Sequence, residues 1–462
     1  EEHRDMRMTM AESVNDRLCP IKPFKSMVVC GTPEVTKTLA EDQSAPLPRS
    51  GHRMICVGHK LFMFGGYNPN ITEKFANPYW QLTKPLFAEL WEYNTRSKQW
   101  RELYQCQMGR NHGLVSFGCV VSGHTMFHIG GTGLPFGECS NNWFYACDLF
   151  TGAWRKLHTT GKKPLRSYGM GLVLDGNDLY VVGGTTGFQY NLDVHHINIV
   201  DRVWSELPVS QGETPMARYR HEVLLHNGEL VVFGGGQKDV TAPLDTLAAF
   251  DIVTRKWRYI HTFVDPFTQS YPKPRKCHVT VRYQDYVYIH GGCDEYHSFG
   301  DMWRMSLSTY VWQELPHGAT SPRHFHSAAV NQDGCLYMHG GVDESGQRKG
   351  SLVSCWLTVP SLKRQCWFTM LQEWPHLLEV PPLSLYQLGL PTIDIRESEL
   401  IPPPQPPPVF PPPQIDDDLD TDEANEAVAL PADLEQALID DDNDGGDVAG
   451  GDDEDPLSDA SL

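Results

Sequence analysis

The sequence predicts an all-β fold, a closed β-propeller of six blades, and three observations predict it. An apolar run ending in a glycine pair recurs as LFMFGG, TMFHIGG, LYVVGG, LVVFGG, YVYIHGG and CLYMHGG. The pairs are Gly65-Gly66, Gly130-Gly131, Gly183-Gly184, Gly234-Gly235, Gly291-Gly292 and Gly340-Gly341, at intervals of 65, 53, 51, 57 and 49 residues. A period near 50 residues is that of a radial repeat. A tryptophan follows each pair: Trp100, Trp154, Trp204, Trp257, Trp312 and Trp367. Between these marks lie short runs of β-branched and aromatic residues closed by turn residues such as Asn94-Thr95 and Thr151-Gly152, so each repeat reads as several strands with no long helix.

Residues 1–44 form an extension whose apolar stretch Met27-Val28-Val29-Cys30 is placed to supply a closing strand. Residues 45–360 are the propeller. In the first repeat 34 residues separate the second glycine from Trp100, against 20–23 in the next four, which predicts an insertion near 70–86. Each glycine pair ends a buried inner strand in a tight turn, where glycine alone adopts positive φ cheaply. Each tryptophan offers an apolar plate to the gap between blades. In the last repeat the spacing is 26, and the period shifts from strand to helix after Pro360. Ser361 reads as an N-cap, and Leu362, Cys366, Met370 and Leu371 share a helical face. A second apolar stretch runs to Leu390, so residues 361–392 form a helical segment. Residues 393–462 read as a disordered tail, Pro-rich over Pro402–Pro413 and then acidic.

Apolar run, Gly-Gly, strand and tryptophan, six times in order, resemble the kelch repeat, over roughly residues 45–370. The strings GGYNP, GGTGLPFGE, GGTTG, RYRHE and VPSL…W…LGL extend the likeness to about residue 392. They are similar to kelch proteins that act as substrate receptors of a cullin-2–elongin B–elongin C ubiquitin ligase. The resemblance implies a non-catalytic adaptor whose propeller holds the C-terminal ends of client proteins, commonly finishing in glycine or alanine. The segment Ser361, Leu362, Cys366 and Met370 resembles the BC box, which binds elongin C, with Met370 a mild departure at the last position. The competing readings of the segment are an amphipathic cap on the last blade, or that blade's own outer strand carrying Trp367. For the whole chain the alternative is a kelch scaffold that binds actin or a signalling enzyme with no ligase role.

Composition narrows the rest. The net charge of −20 belongs to the tail: residues 416–462 hold 19 Asp or Glu and no Lys or Arg, leaving 39 acids against 38 bases elsewhere. A body without basic excess does not suit nucleic acid. No run approaches the ~18 apolar residues of a membrane span. Twelve scattered cysteines without a Cys-x-x-Cys, and no apolar leader in the sequence given, point to free thiols and a cytoplasmic or nuclear location. The first residue is Glu rather than Met, which weakens any targeting argument. No catalytic or cofactor fingerprint is present. His195 and His196, adjacent on a strand, face opposite sides and do not share a metal. His52, His221, His278 and His326 recur by repeat, the mark of structural histidines.

The binding candidates are arginines. Arg49, Arg110, Arg166, Arg218, Arg275 and Arg323 each lie upstream of a glycine pair, in Arg-x-x-His or Arg-x-x-Gly. Either each holds the backbone or an acid of its own blade, or together they ring the channel mouth as guanidinium forks for a carboxylate. Arg220, in Ala217-Arg218-Tyr219-Arg220-His221, is an extra arginine that the repeat does not require. Tyr67, Phe136, Phe188 and Tyr296, on the loops after glycine pairs, are candidate apolar walls of a pocket for a chain end. No metal ligand set and no cofactor is expected.

Overall fold

The computed structural model describes residues 27–30, 45–71, 83–95, 98–105 and 112–358, together with Cys366, Met370, Trp374 and Leu377. The described strands form six antiparallel sheets arranged as blades around an axis. Blade one holds β2 (Arg53–Val57), β3 (Lys60–Phe64), β4 (Glu89–Asn94) and β5 (Gln99–Gln105). Blade two holds β6 (Gly118–Ser122), β7 (Thr125–Ile129), β8 (Phe144–Asp148) and β9 (Trp154–Lys156). Blade three holds β11 (Gly171–Asp175), β12 (Asp178–Thr185), β13 (Tyr190–Asn198) and β14 (Val203–Glu206). A parallel two-residue strand, β10 (Thr160–Gly161), is added at its outer edge. Blade four is β15 (Glu222–His226), β16 (Glu229–Phe233), β17 (Thr246–Asp251) and β18 (Lys256–His261). Blade five is β19 (Val279–Tyr283), β20 (Tyr286–His290), β21 (Met302–Ser306) and β22 (Trp312–Glu314). Blade six takes β23 (Ser327–Val330), β24 (Cys335–His339) and β25 (Leu352–Trp356) from its own repeat. Its outer strand is β1 (Met27–Cys30), paired antiparallel with β25. The first and last repeats are thus joined by a strand from the other end of the chain, which covers the edge β25 would otherwise expose.

The core is divided among the blade interfaces. Six apolar clusters each draw on two adjacent blades, and five of the repeat tryptophans lie in them. Trp154 packs 4.5 Å from Phe64 of the preceding blade. Trp312, fully buried, donates its indole N–H to Leu244 O (3.1 Å). Trp367 lies outside the described residues, and Tyr288, Met302, Met338 and Val353 fill the interface between blades five and six.

All twelve paired glycines have positive φ, from 56° to 111°. A turn is only half the reason. The N–H of each second glycine donates to a carbonyl of the next blade: Gly66 to Leu114, Gly131 to Ser167, Gly184 to Arg218, Gly235 to Arg275, Gly292 to Arg323 and Gly341 to Arg49. A Cβ on Gly65 or Gly340 would lie 2.5 Å from the carbonyl oxygen of Leu114 or Arg49. The pair is glycine because neighbouring backbone occupies the space a side chain needs.

Candidate functional site

One residue per blade, two positions before the inner strand begins, faces the axis: Gly51, Ser116, Gly169, Arg220, Cys277 and Phe325. All have left-handed φ between 55° and 68°. Their backbones form a closed ring. Gly51 N–H donates to Phe325 O (2.9 Å), Ser116 to Gly51 (2.9 Å) and Gly169 to Ser116 (2.8 Å). Arg220 donates to Gly169 (2.7 Å), Cys277 to Arg220 (3.1 Å) and Phe325 to Cys277 (3.0 Å). Every amide of the ring is therefore spent on a neighbour. A ligand above the ring must be held by side chains.

Above the ring lies a cup with a cavity volume of about 40 Å³. Ser116, Arg220 and Phe325 form its base, and Tyr67, Phe136, Tyr168 and Tyr219 its walls. Tyr67 meets Phe136 edge-to-face at 5.2 Å. Arg220 is the base's cation. Its Nη2 donates to Ser116 Oγ, and its guanidinium lies 4.3 Å over the Phe325 ring. Its Nε is buried without an acceptor. A carboxylate is the acceptor that a guanidinium fork fits best. A second guanidinium lies on one of the cup's aromatic walls. Arg348 lies 5.2 Å over Tyr67. His324, which donates to or accepts from Ser298 Oγ (3.0 Å), is lowered to about 4 by burial, then by Arg348 and Arg220.

The structure separates the arginines into two groups. Arg49, Arg218 and Arg275 are buried and follow one pattern, with Nε on the carbonyl two residues earlier and Nη1 on the carbonyl of the blade's first glycine. Arg49 also pairs with Glu89 (2.8 Å) and Arg275 with Asp301 (2.6 Å). Arg323 is likewise buried, with Nε on Ser321 O (3.4 Å). These side chains hold the ends of their own blades and do not line the cup, so the ring-of-forks reading is corrected for Arg218, Arg275 and Arg323. Burial lowers Arg218 to about 10, and among the described residues no carboxylate pairs with it.

The repeat alignment also changes. Counting from the glycine pair, the positions equivalent to Arg49 in blades two and three are Leu114 and Ser167. Arg166 is exposed and sits one residue earlier, away from the cup. Arg110 lies outside the described residues. Of the aromatics, Tyr67 and Phe136 reach the cup. Phe188 and Tyr296 do not: each sits in a tight turn, Thr186 N–H to Gln189 O (3.0 Å) and Asp294 N–H to His297 O (3.0 Å), that directs it outward. Tyr296 is 86% exposed. The sequence reading missed Ser116, Tyr168, Tyr219 and Phe325. Counting back 14 residues from each first glycine, 15 in blade six, would have found the ring position.

Beyond the propeller, Ser361 and Leu362 lie outside the described residues. Cys366 and Met370 are both helical, Cys366 exposed and Met370 half-buried. Trp374 N–H donates to Met370 O (2.8 Å), as in a helical turn.

The "KLHDC2/KLHL20/DRC7 Kelch-repeats domain" family model matches residues 30–235 and 192–368. The chain belongs to the kelch-repeat family. Among its kelch relatives, kelch domain-containing protein 10 of Xenopus tropicalis is 38% identical over 361 residues, covering 77% of this chain and 86% of that protein. The Homo sapiens protein of that name is 36% identical over 354 residues, covering 75% and 78%. The Drosophila melanogaster homolog is 32% identical over 385 residues, covering 78% and 62%. This kelch family consists typically of non-catalytic interaction propellers, and the cup brings together a cation, a hydroxyl and aromatic side chains.

Proposed function

We propose that this kelch protein is the substrate-recognition subunit of a cullin-2–elongin B/C ubiquitin ligase, and that its cup receives the C-terminal carboxylate of a client. The observation that carries the cup half is Arg220, the cation lining the cup, held by Ser116 Oγ and the Phe325 ring. Every unmodified chain ends in one carboxylate, and the ring offers it no backbone amide, so recognition falls to Arg220 and the hydroxyls around it. The aromatic walls pack against the last residues of the client. Support for the ligase half is the segment after blade six. Since β1 takes the outer edge of that blade, the chain after Trp356 is not required as its fourth strand. Cys366 is left exposed on a helical turn.

Two experiments test the two halves. Leu362→Ser with Cys366→Phe abolishes co-purification of elongin C while the propeller keeps its far-ultraviolet spectrum and Tm. Recovery of no elongin by the unaltered protein sinks the ligase half and leaves the scaffold reading. For the cup, peptides with a free C-terminus bind and their C-terminal amides do not. Equal affinity removes the carboxylate argument.

A further inference from the structure

Two residues beyond the ring, the inner strands carry a pair that links opposite sides of the molecule. The ring order of the blades places blade four directly across from blade one. Arg53 begins the inner strand of blade one and Glu222 that of blade four. Arg53 Nη1 donates to Glu222 Oε1 at 3.0 Å, so the ion pair spans the channel. The same guanidinium donates from Nε to Phe117 O of blade two, at 3.1 Å. Phe117 follows Ser116, and Glu222 lies two residues after Arg220. One side chain from blade one thus ties together the inner edges of blades two and four, whose side chains Ser116 and Arg220 meet above it. Both partners are 21% exposed, dry enough for a charged fork to hold geometry and wet enough to avoid the full cost of a buried pair.

The geometry points to Arg53 and Glu222 as positioning residues of the cup. The brace fixes the separation of blades two and four beneath Ser116 and Arg220, and so holds the Arg220 fork at the spacing a carboxylate needs. It also crosses the channel directly under the ring, so that a ligand enters and leaves by the cup face. The inference rests on the carboxylate reading above and adds residues that touch no ligand. Arginine is required because two donors of one planar fork serve two acceptors on different blades, which a lysine ammonium does not reproduce.

The test measures, on the full chain, the affinity ratio between a free-acid peptide and its C-terminal amide, alongside Tm. Arg53→Lys and Glu222→Gln are expected to lower that ratio by about tenfold, chiefly through weaker binding of the acid. The exchange Arg53→Glu with Glu222→Arg re-forms the ion pair but gives Phe117 O no donor, so it is expected to leave the ratio low even where Tm is regained. A merely structural role would move Tm and leave the ratio at its original value in every variant that folds, and that result overturns the inference. Full recovery of the ratio in the exchange variant, which lacks the bond to Phe117 O, also overturns it. If the unaltered protein does not distinguish acid from amide, the carboxylate reading has failed instead.

Discussion

At the residue scale, arginines of similar sequence surroundings do different work, and the difference is which atoms face them. Arg49 and Glu89 are both fully buried 2.8 Å apart, so each is the other's solvent. Arg49→Met leaves Glu89 uncompensated, and the expected loss is about 3–5 kcal/mol of unfolding free energy, read from denaturant midpoints. A loss below about 1 kcal/mol, the level of an exposed pair, would contradict that. Arg220, two residues from the structural Arg218, instead lines the cup, where we propose that it meets a ligand. Arg220→Met is expected to keep stability and weaken a free-acid peptide by roughly ten- to a hundredfold. Arg220 was legible in the sequence as a departure from the repeat. Ser116 was not, because its role depends on a neighbour 104 residues away.

At the element scale, the repeat marks were readable because each reflects a local requirement, while their partners were not. Glycine pairs and tryptophans announce strand ends and blade plates. That the second glycine also bonds the next blade is a tertiary fact, since its acceptor lies about one repeat further on. The Arg-x-x-Gly reading of blades two and three failed for a related reason. In those blades Leu114 and Ser167 stand at the arginine position, and nearby arginines were matched in their place. Trp312 joins blades four and five with no exposed surface. Trp312→Ala is expected to cost about 3–5 kcal/mol, visible as a lower urea midpoint, and an unchanged midpoint would contradict the packing described here. Deleting residues 1–44 removes β1 and bares the edge of β25. The expected outcome is a lower Tm and self-association in size-exclusion chromatography.

At the scale of the whole molecule, the interior is studded with neutral histidines. Burial is the first cause that lowers His52, His128, His221, His278, His290, His324, His326 and His339 below 6.5. His221, His278, His290 and His339 fall to about 3, and His128 to about 4. Two pairs share one hydrogen bond each, His290–His326 at 3.0 Å and His52–His339 at 3.2 Å. The unfolded chain takes up protons from about pH 6.5, and the folded chain resists until near pH 4 to 3. Stability is therefore full above pH 6.5 and declines as pH falls toward 3. The urea midpoint should be lower at pH 5.5 than at pH 7.5, and equal midpoints would contradict this.

The same scale holds the central claim, that a closed ring of six blades presents one side-chain fork to a chain end. It is tested most directly by a two-by-two binding measurement: unaltered protein and Arg220→Met, each titrated with one client-end peptide as free acid and as amide. The account predicts a strong preference for the acid that falls to near parity in Arg220→Met. A preference of the same size in both proteins would contradict it, and would place the carboxylate somewhere other than Arg220.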